Sequence, residues 1–289
     1  MREEANLPYH RIYVRQSWLN DALMCPERAR LSALHPETRR ENDSAVMGTA
    51  VHAGIEAVLN GAIQPHEIGS RAVYEFDLIR SNLAQDGKDV SVTNTDPKNW
   101  NTHIASMADA WARDIYPHVP LGGTTEMKFE VPVTVYEDSN FQYELWYEGT
   151  MDYICAGGIW DWKTAARKYY EAEKQSQNIQ SAVYATAANK LGLLDYTVNF
   201  NFGVMIRNAS STGQIVHVTR TQKHSDWIVS QTIALVNSVL LAGRHLSGDS
   251  RWMMNDQHHL CSERWCPVWS LCKGALIGEG LTAEEANNG

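Results

Sequence analysis

Residues 147–164 (Tyr-Glu-Gly-Thr-Met-Asp-Tyr-Ile-Cys-Ala-Gly-Gly-Ile-Trp-Asp-Trp-Lys-Thr) constrain the fold of this chain more than any other stretch. They read as two strands joined by a tight turn: a first strand to about residue 154, a turn at Ala156-Gly157-Gly158, and a second strand over 159–163. Gly-Gly supplies the positive φ angles that a short hairpin needs. Side chains alternate across a strand, so Asp161 and Lys163 share one face and Trp160 and Trp162 the other. Asp152 stands near the end of the first strand. Two carboxylates and an ammonium beside one hairpin would be costly as core. They suit a hard divalent cation, which takes oxygen ligands. Asp-x-Lys alone is also what a solvated edge strand with a surface ion pair would show.

The chain on either side supplies context. Ser17–Leu23 reads as a helix with Ser17 as N-cap, followed by Cys25-Pro26. Residues 36–47 are polar and read as an exposed connection. Gly48–Leu59 has helical periodicity and carries His52, whose neutral imidazole can complete a carboxylate site, particularly for manganese. Two helices, 71–84 and 100–116, flank a polar loop over 85–99 and are expected to cover the sheet. From residue 126 the pattern turns to strands, over 128–136 and 141–154. Glu126 and Glu130 are further acidic groups there, for which a solvated strand face is the plain reading. A charged helix is expected over 169–191, with Gln177, Gln180 and Tyr184 on one stripe. Two strands (196–206 and 214–221) and a long helix to about 245, capped by Ser225 or Asp226, complete the α/β pattern.

Charge restricts the partners. Lys and Arg total 25 against 34 Asp and Glu, a formal −9, which is the wrong sign for a protein that coats nucleic acid. Contact with DNA would need a local basic patch, with divalent metal neutralising an acidic centre. The ten tryptophans leave aromatics to spare for base stacking, although core is the commoner use. No run has the apolar length of a membrane span and no signal segment is seen, so a cytoplasmic protein of prokaryotic or phage type is expected.

Five cysteines without a secretory context argue against a disulfide framework. Cys261, Cys266 and Cys272 are spaced Cys-x4-Cys-x5-Cys. That is close enough to wrap one metal centre and too irregular for a zinc ribbon. A fourth ligand must come from elsewhere, and Cys25 is the natural choice. Zinc on three of these cysteines with His258 or His259 is the competing reading. Cys155 is left over and expected beneath the hairpin.

Taken together, Gly149-Thr-Met-Asp152, Asp161-Trp-Lys163-Thr164, Gln180-Ser-Ala-Val-Tyr184 and Gly48-Thr-Ala-Val-His52 resemble the ordered motifs of the PD-(D/E)XK nuclease superfamily, in its RecB-like branch. The resemblance implies a restriction-endonuclease-like α/β core, a mixed central sheet flanked by helices. It implies one nuclease domain over 1–289: N-terminal helices with the first cysteine and the histidine motif (17–60), a helical insertion (61–120), the α/β nuclease core (124–222), a C-terminal helix with the cysteines (223–273) and a tail (274–289). It implies a metal-dependent exonuclease hydrolysing DNA, on single strands or DNA ends, in repair, recombination or CRISPR-type adaptation, with protein partners in a DNA-processing complex and no membrane. His52, Asp152, Asp161 and the Trp162 carbonyl would hold Mg²⁺ or Mn²⁺. Lys163 would serve the attacking water or the phosphorane, and Gln180 and Tyr184 would orient the substrate backbone. One early and three late cysteines resemble the [4Fe–4S] arrangement of the CRISPR-associated and AddB-type nucleases, with Cys25, Cys261, Cys266 and Cys272 as ligands. A non-cleaving DNA-binding subunit and an RNA-directed nuclease of the same fold are the alternatives.

Overall fold

The computed structural model describes residues 10–38, 41–176, 178–245, 252–255 and 257–273. In chain order the principal elements are β1 (His10–Arg15), α1 (Gln16–Met24), α2 (Pro26–Leu34), α3 (Asp43–Leu59), α4 (Ile68–Gln85), α5 (Trp100–Ala110), β2 (Thr124–Glu137), β3 (Gln142–Cys155), β4 (Gly158–Ala165), α6 (Glu171–Ser176), α7 (Ile179–Lys190), β5 (Val198–Ile206), β6 (Gly213–Arg220), α8 (Gln222–His245) and α9 (Trp269–Cys272).

The elements fall into two compact units. The smaller comprises residues 1–40, 134–145 and 229–289, and the larger 41–133 and 146–228. In the larger unit β3 pairs antiparallel with β4, β4 parallel with β5, and β5 antiparallel with β6, the last strand in the order. The result is a mixed sheet flanked by helices, as a restriction-endonuclease-like core requires. The β3–β4 turn is two residues, Ala156-Gly157, because Cys155 pairs with Gly158. Gly158 alone takes the positive φ, at 123°, and a Cβ there would lie 2.2 Å from the Asn199 carbonyl oxygen. Only glycine fits both conditions.

Alternation along β4 sorts its side chains as the pattern predicts. Trp160 and Trp162 are buried, and the Trp162 ring meets Trp111 edge to face at 5.6 Å. Val51, Ile55 and Met47 of α3, Phe76 of α4 and Ile104 and Met107 of α5 belong to the same hydrophobic core. The helical segment between α3 and β2 therefore covers the tryptophan face of the sheet. Rings of this size each remove some 150–250 Å² from water, which makes this face the main apolar store of the unit.

Several local expectations are corrected. Ser17 is not the N-cap of α1: Arg15 is, without a side-chain cap bond, because β1 runs directly into the helix. The helix expected over 169–191 is two, α6 and α7, with Asn178 capping α7 by accepting from the Ser181 N–H at 2.7 Å. The charges lie on α6, whereas α7 is alanine-rich and buried from Ser181 to Ala188. Gln177 and the tail 274–289 lie outside the described residues. The connection 36–47 is not wholly exposed either, because Asp43, the first residue of α3, is fully buried.

Candidate active site

On the sheet face opposite the tryptophans, Asp161 and Lys163 stand side by side. The Lys163 ammonium approaches Asp161 Oδ2 to 2.6 Å, and Gln180 Nε2 of α7 donates to Oδ1 at 2.7 Å. Asp161 is 1% exposed. Among the described residues its Oδ2 meets the Lys163 ammonium and no other donor. A buried carboxylate oxygen that already holds an ammonium is one suited to a cation.

The sequence motifs converge here. Asp152 on β3 accepts from the Trp162 N–H at 2.7 Å, and its Oδ2 lies 3.6 Å from His52 Nδ1. The His52 ring also lies close to the Trp162 backbone. Tyr184 lies beside the Gln180 side chain and packs its ring edge-on against Phe129, 5.6 Å between centroids. His52, Asp152, Asp161, Lys163, Gln180 and Tyr184 thus occupy one site. The Trp162 backbone, whose carbonyl the sequence offers to the metal, lies beside His52 at this site.

Burial dominates the electrostatics. It raises Asp161 to about 6, against the opposing pull of Lys163, and Asp152 moves upward for the same reason. Burial, aided by the Lys163 charge, lowers His52 to about 4, so the imidazole is neutral near pH 7 and free to act as a ligand. Lys163 is raised: burial works against its charge, but Asp161 and Asp152 more than offset it. Among the described residues no three His, Cys, Asp or Glu side chains are already set to hold a metal. At the carboxylate site, Lys163 occupies the oxygen that a cation would take.

Two residues outside the sequence motifs join the site. Glu126 of β2 has a positive φ of 45°. Burial, then Asp152 and Glu56, pushes its carboxyl up to about 7. Its place was suggested by the acidic pattern of β2; both Glu126 and Glu130 are exposed to solvent, and only Glu126 lies within electrostatic reach of Asp152. Tyr169 lies within the electrostatic reach of Lys163 and Asp161 and sets its ring against Phe202, the β5 residue registered with Asp161. No spacing rule points to Tyr169, because it lies in the aperiodic segment between β4 and α6.

The cysteines belong to the smaller unit. Cys25 joins α1 to α2, and Cys261, Cys266 and Cys272 lie around α9. Hydrogen bonds hold 252–255 to this junction: Trp252 N–H to Glu27 Oε2 at 2.7 Å, Asn255 Nδ2 to the Met24 carbonyl at 2.9 Å, and Asn255 N–H to Cys25 Sγ at 3.5 Å. The Cys266 and Cys272 thiols each feel Cys25 and Cys261, and burial raises both. All four thiols are half-buried and free. Cys155 is buried under the hairpin turn, its Sγ donating to the Gly158 carbonyl at 3.5 Å.

Strand-borne carboxylates, a lysine two residues on, and a glutamine and tyrosine from a covering helix define a hydrolase site of the kind that gathers a hard cation beside an ammonium. The chain belongs to the PD-(D/E)XK nuclease superfamily, whose family model matches residues 16–273. No curated protein matches it. Among solved structures it is similar to that of a provisionally assigned exonuclease from Eubacterium rectale, with 11% identity over 78% of this chain and 80% of that one and a TM-score of 0.47. No helix among the described residues is long and apolar enough to cross a membrane.

The position of Lys163 gives the first expected result. Lys163→Ala should slow cleavage by about 10²-fold or more while leaving divalent-metal binding intact or tighter, since the ammonium competes for Asp161 Oδ2 and acts mainly on transition-state charge. Single-turnover rates at saturating DNA and a Mn²⁺ titration separate the two effects. A variant with only weaker DNA affinity would make Lys163 a phosphate anchor.

Proposed function

We propose that this chain is a metal-dependent deoxyribonuclease that degrades DNA from its ends. The observation that carries the reading is the buried Asp161 carboxylate, paired through Oδ2 with Lys163 and lying beside Asp152 and neutral His52. Asp152, Asp161 and His52 would hold Mg²⁺ or Mn²⁺, with Glu126 as a further oxygen donor beside them. When bound, such an ion supplies Lewis acidity at the scissile phosphate and a lowered pKa for the attacking water. Lys163 places its charge where negative charge grows on the phosphate oxygens. Gln180 fixes the Asp161 carboxylate through Oδ1 and leaves Oδ2 facing the site. Tyr184, beside Gln180, orients the sugar–phosphate backbone.

Attack from ends is tested by giving the protein linear and covalently closed single-stranded DNA of the same sequence with Mn²⁺. Linear DNA should be consumed and circles spared. Equal loss of both would make the activity endonucleolytic.

For the smaller unit we propose a [4Fe–4S] cluster on Cys25, Cys261, Cys266 and Cys272. The donor set is four soft thiols around one junction, Cys266 and Cys272 each within electrostatic reach of Cys25 and Cys261, which suits iron–sulfur ligation. Anaerobically purified protein should be brown, with iron and acid-labile sulfide in roughly equal amounts, as such a centre requires. Serine at any of the four positions should bleach it, and Cys155→Ser should not. Stoichiometric zinc without sulfide, on three cysteines with His258 or His259, would overturn this assignment.

A further inference from the structure

The segment that leaves β4, residues 166–170 (Ala-Arg-Lys-Tyr-Tyr), is fixed in place although it buries little. Tyr169 exchanges both its backbone groups with the side-chain amide of Gln214: its N–H donates to Oε1 at 3.0 Å and its carbonyl accepts from Nε2 at 2.9 Å. Six residues on, the arrangement is reversed. Gln175 donates through Nε2 to the Thr219 carbonyl at 3.1 Å and accepts the Thr219 N–H through Oε1 at 3.0 Å. Arg220, 2% exposed, closes the arrangement with bonds to the Lys174 carbonyl at 2.6 Å, the Gln175 carbonyl at 2.9 Å and Ser181 Oγ at 2.8 Å. All three anchors lie on β6, the last strand of the sheet, which has backbone groups to spare for side chains that imitate a further strand.

Ordering such a segment costs about 1–2 kcal/mol per residue in backbone entropy, and burial does little here to offset it. Exposure shows what the order achieves. Tyr169 turns inward, its ring on Phe202 and under the Lys174 ammonium at 4.3 Å, beside the lysine of the candidate active site. Arg167, Lys168 and Tyr170 turn outward and are exposed, Tyr170 by 69%. Among the described residues neither Arg167 nor Lys168 has an ion-pair partner, in a chain whose net formal charge is −9. Two cations next to an exposed aromatic ring, a few residues from the lysine of the site and beside the anchored Tyr169, match a polyanion whose units carry flat rings.

We propose that residues 166–170 form a binding strap for single-stranded nucleic acid beside the active site, with Arg167 and Lys168 on successive phosphates and Tyr170 stacked on an unpaired base. This rests on the reading of the site as a nuclease and adds to it a specified contact surface. The choice of single strand follows from Tyr170: a lone exposed ring stacks only on a base whose face is free, and in a duplex both faces are covered by neighbours. The basic pair is the local patch that an acidic protein needs to hold a polyanion at all.

The test is binding without turnover. The full chain, in EDTA, is titrated into labelled oligothymidylate and into a duplex of equal length, with fluorescence anisotropy as the readout. Tyr170→Ala should weaken single-strand binding about five-fold or more, Tyr170→Phe should stay within about two-fold, and duplex binding should be unchanged. Replacing Arg167 and Lys168 together by alanine should lower the slope of log K against log salt by about 1.4, two phosphate contacts at about 0.7 each. Circular dichroism checks the fold of each variant. Unchanged single-strand affinity in Tyr170→Ala, or equal losses on single strand and duplex, would overturn the strap. The two readings fail separately. A wild type that never cleaves yet binds in a Tyr170-dependent way sinks the nuclease and keeps the strap. A wild type that cleaves with no dependence on residues 166–170 does the reverse.

Discussion

Asp161→Ala is expected to abolish cleavage, a fall of about 10³-fold or more, while the protein remains folded. The substitution removes the one buried carboxylate that meets Lys163 and Gln180 together. Loss of an anchoring ligand forfeits several kcal/mol of Lewis-acid stabilisation, and about 1.4 kcal/mol is tenfold in rate. The packing lost is small, so circular dichroism should be unaltered. The same variant isolates a pH effect. With its carboxyl raised by burial to about 6, the folded protein holds this proton more tightly than the unfolded chain does. The contribution of Asp161 to stability is thus present below about pH 4 and lost as pH rises through 6. His52, lowered by burial to about 4, works in the opposite sense over the same window. The quantity to follow is therefore the difference in unfolding free energy between wild type and variant, which should shift in favour of the variant from pH 4 to 6.5. Wild-type rates in a well-folded Asp161→Ala protein would remove Asp161 from the site.

The second large effect lies outside the site. Asp43→Ala should lower stability by about 3 kcal/mol, because the fully buried carboxylate collects the Thr93 hydroxyl at 2.6 Å and the N–H groups of Thr95, Asn94 and Ser44 at 2.7, 2.9 and 2.7 Å. Burial alone would raise this carboxyl, but these donors outweigh it and hold it down at about 2. Its contribution is complete above about pH 4 and fades as pH falls toward 2. In a chain of this length the loss corresponds to a melting shift of roughly 6–12 °C. Asp43 starts the helix that carries His52, so metal affinity should fall as well. An unchanged melting temperature would mean that loop 91–95 is held by other contacts.

Asp43 also marks what sequence reading misses. Its partners lie fifty residues away in a polar loop, and no local pattern distinguishes a buried anchor from a solvated aspartate. Arg220, Gln175 and Gln214 went unnoticed for the same reason: each satisfies backbone groups that only the tertiary fold presents. Tyr169 lies in an aperiodic connection where neither period nor spacing singles out a residue. The break between α6 and α7 was hidden because a run of glutamates, lysines, glutamines and alanines carries helical propensity throughout, while the Asn178 cap that divides it looks like any polar residue. The hairpin was legible. Gly-Gly, the alternation of Trp160, Asp161, Trp162 and Lys163, and the β-branched run of β5 each act through geometry within a few residues. The site motifs were legible because four of them occurred in order, and α3, β3, β4 and α7 bring their side chains to one place.

The central claim is that the carboxylate–lysine site gathers a divalent cation and cuts DNA with it. The most direct measurement is purified protein with end-labelled DNA across a Mn²⁺ titration, with an EDTA arm and Asp161→Ala run alongside. Cleavage should be absent in EDTA, rise with Mn²⁺ to saturation and vanish in the variant at every metal concentration. Cleavage that persists in EDTA, or that survives in Asp161→Ala, would contradict the account.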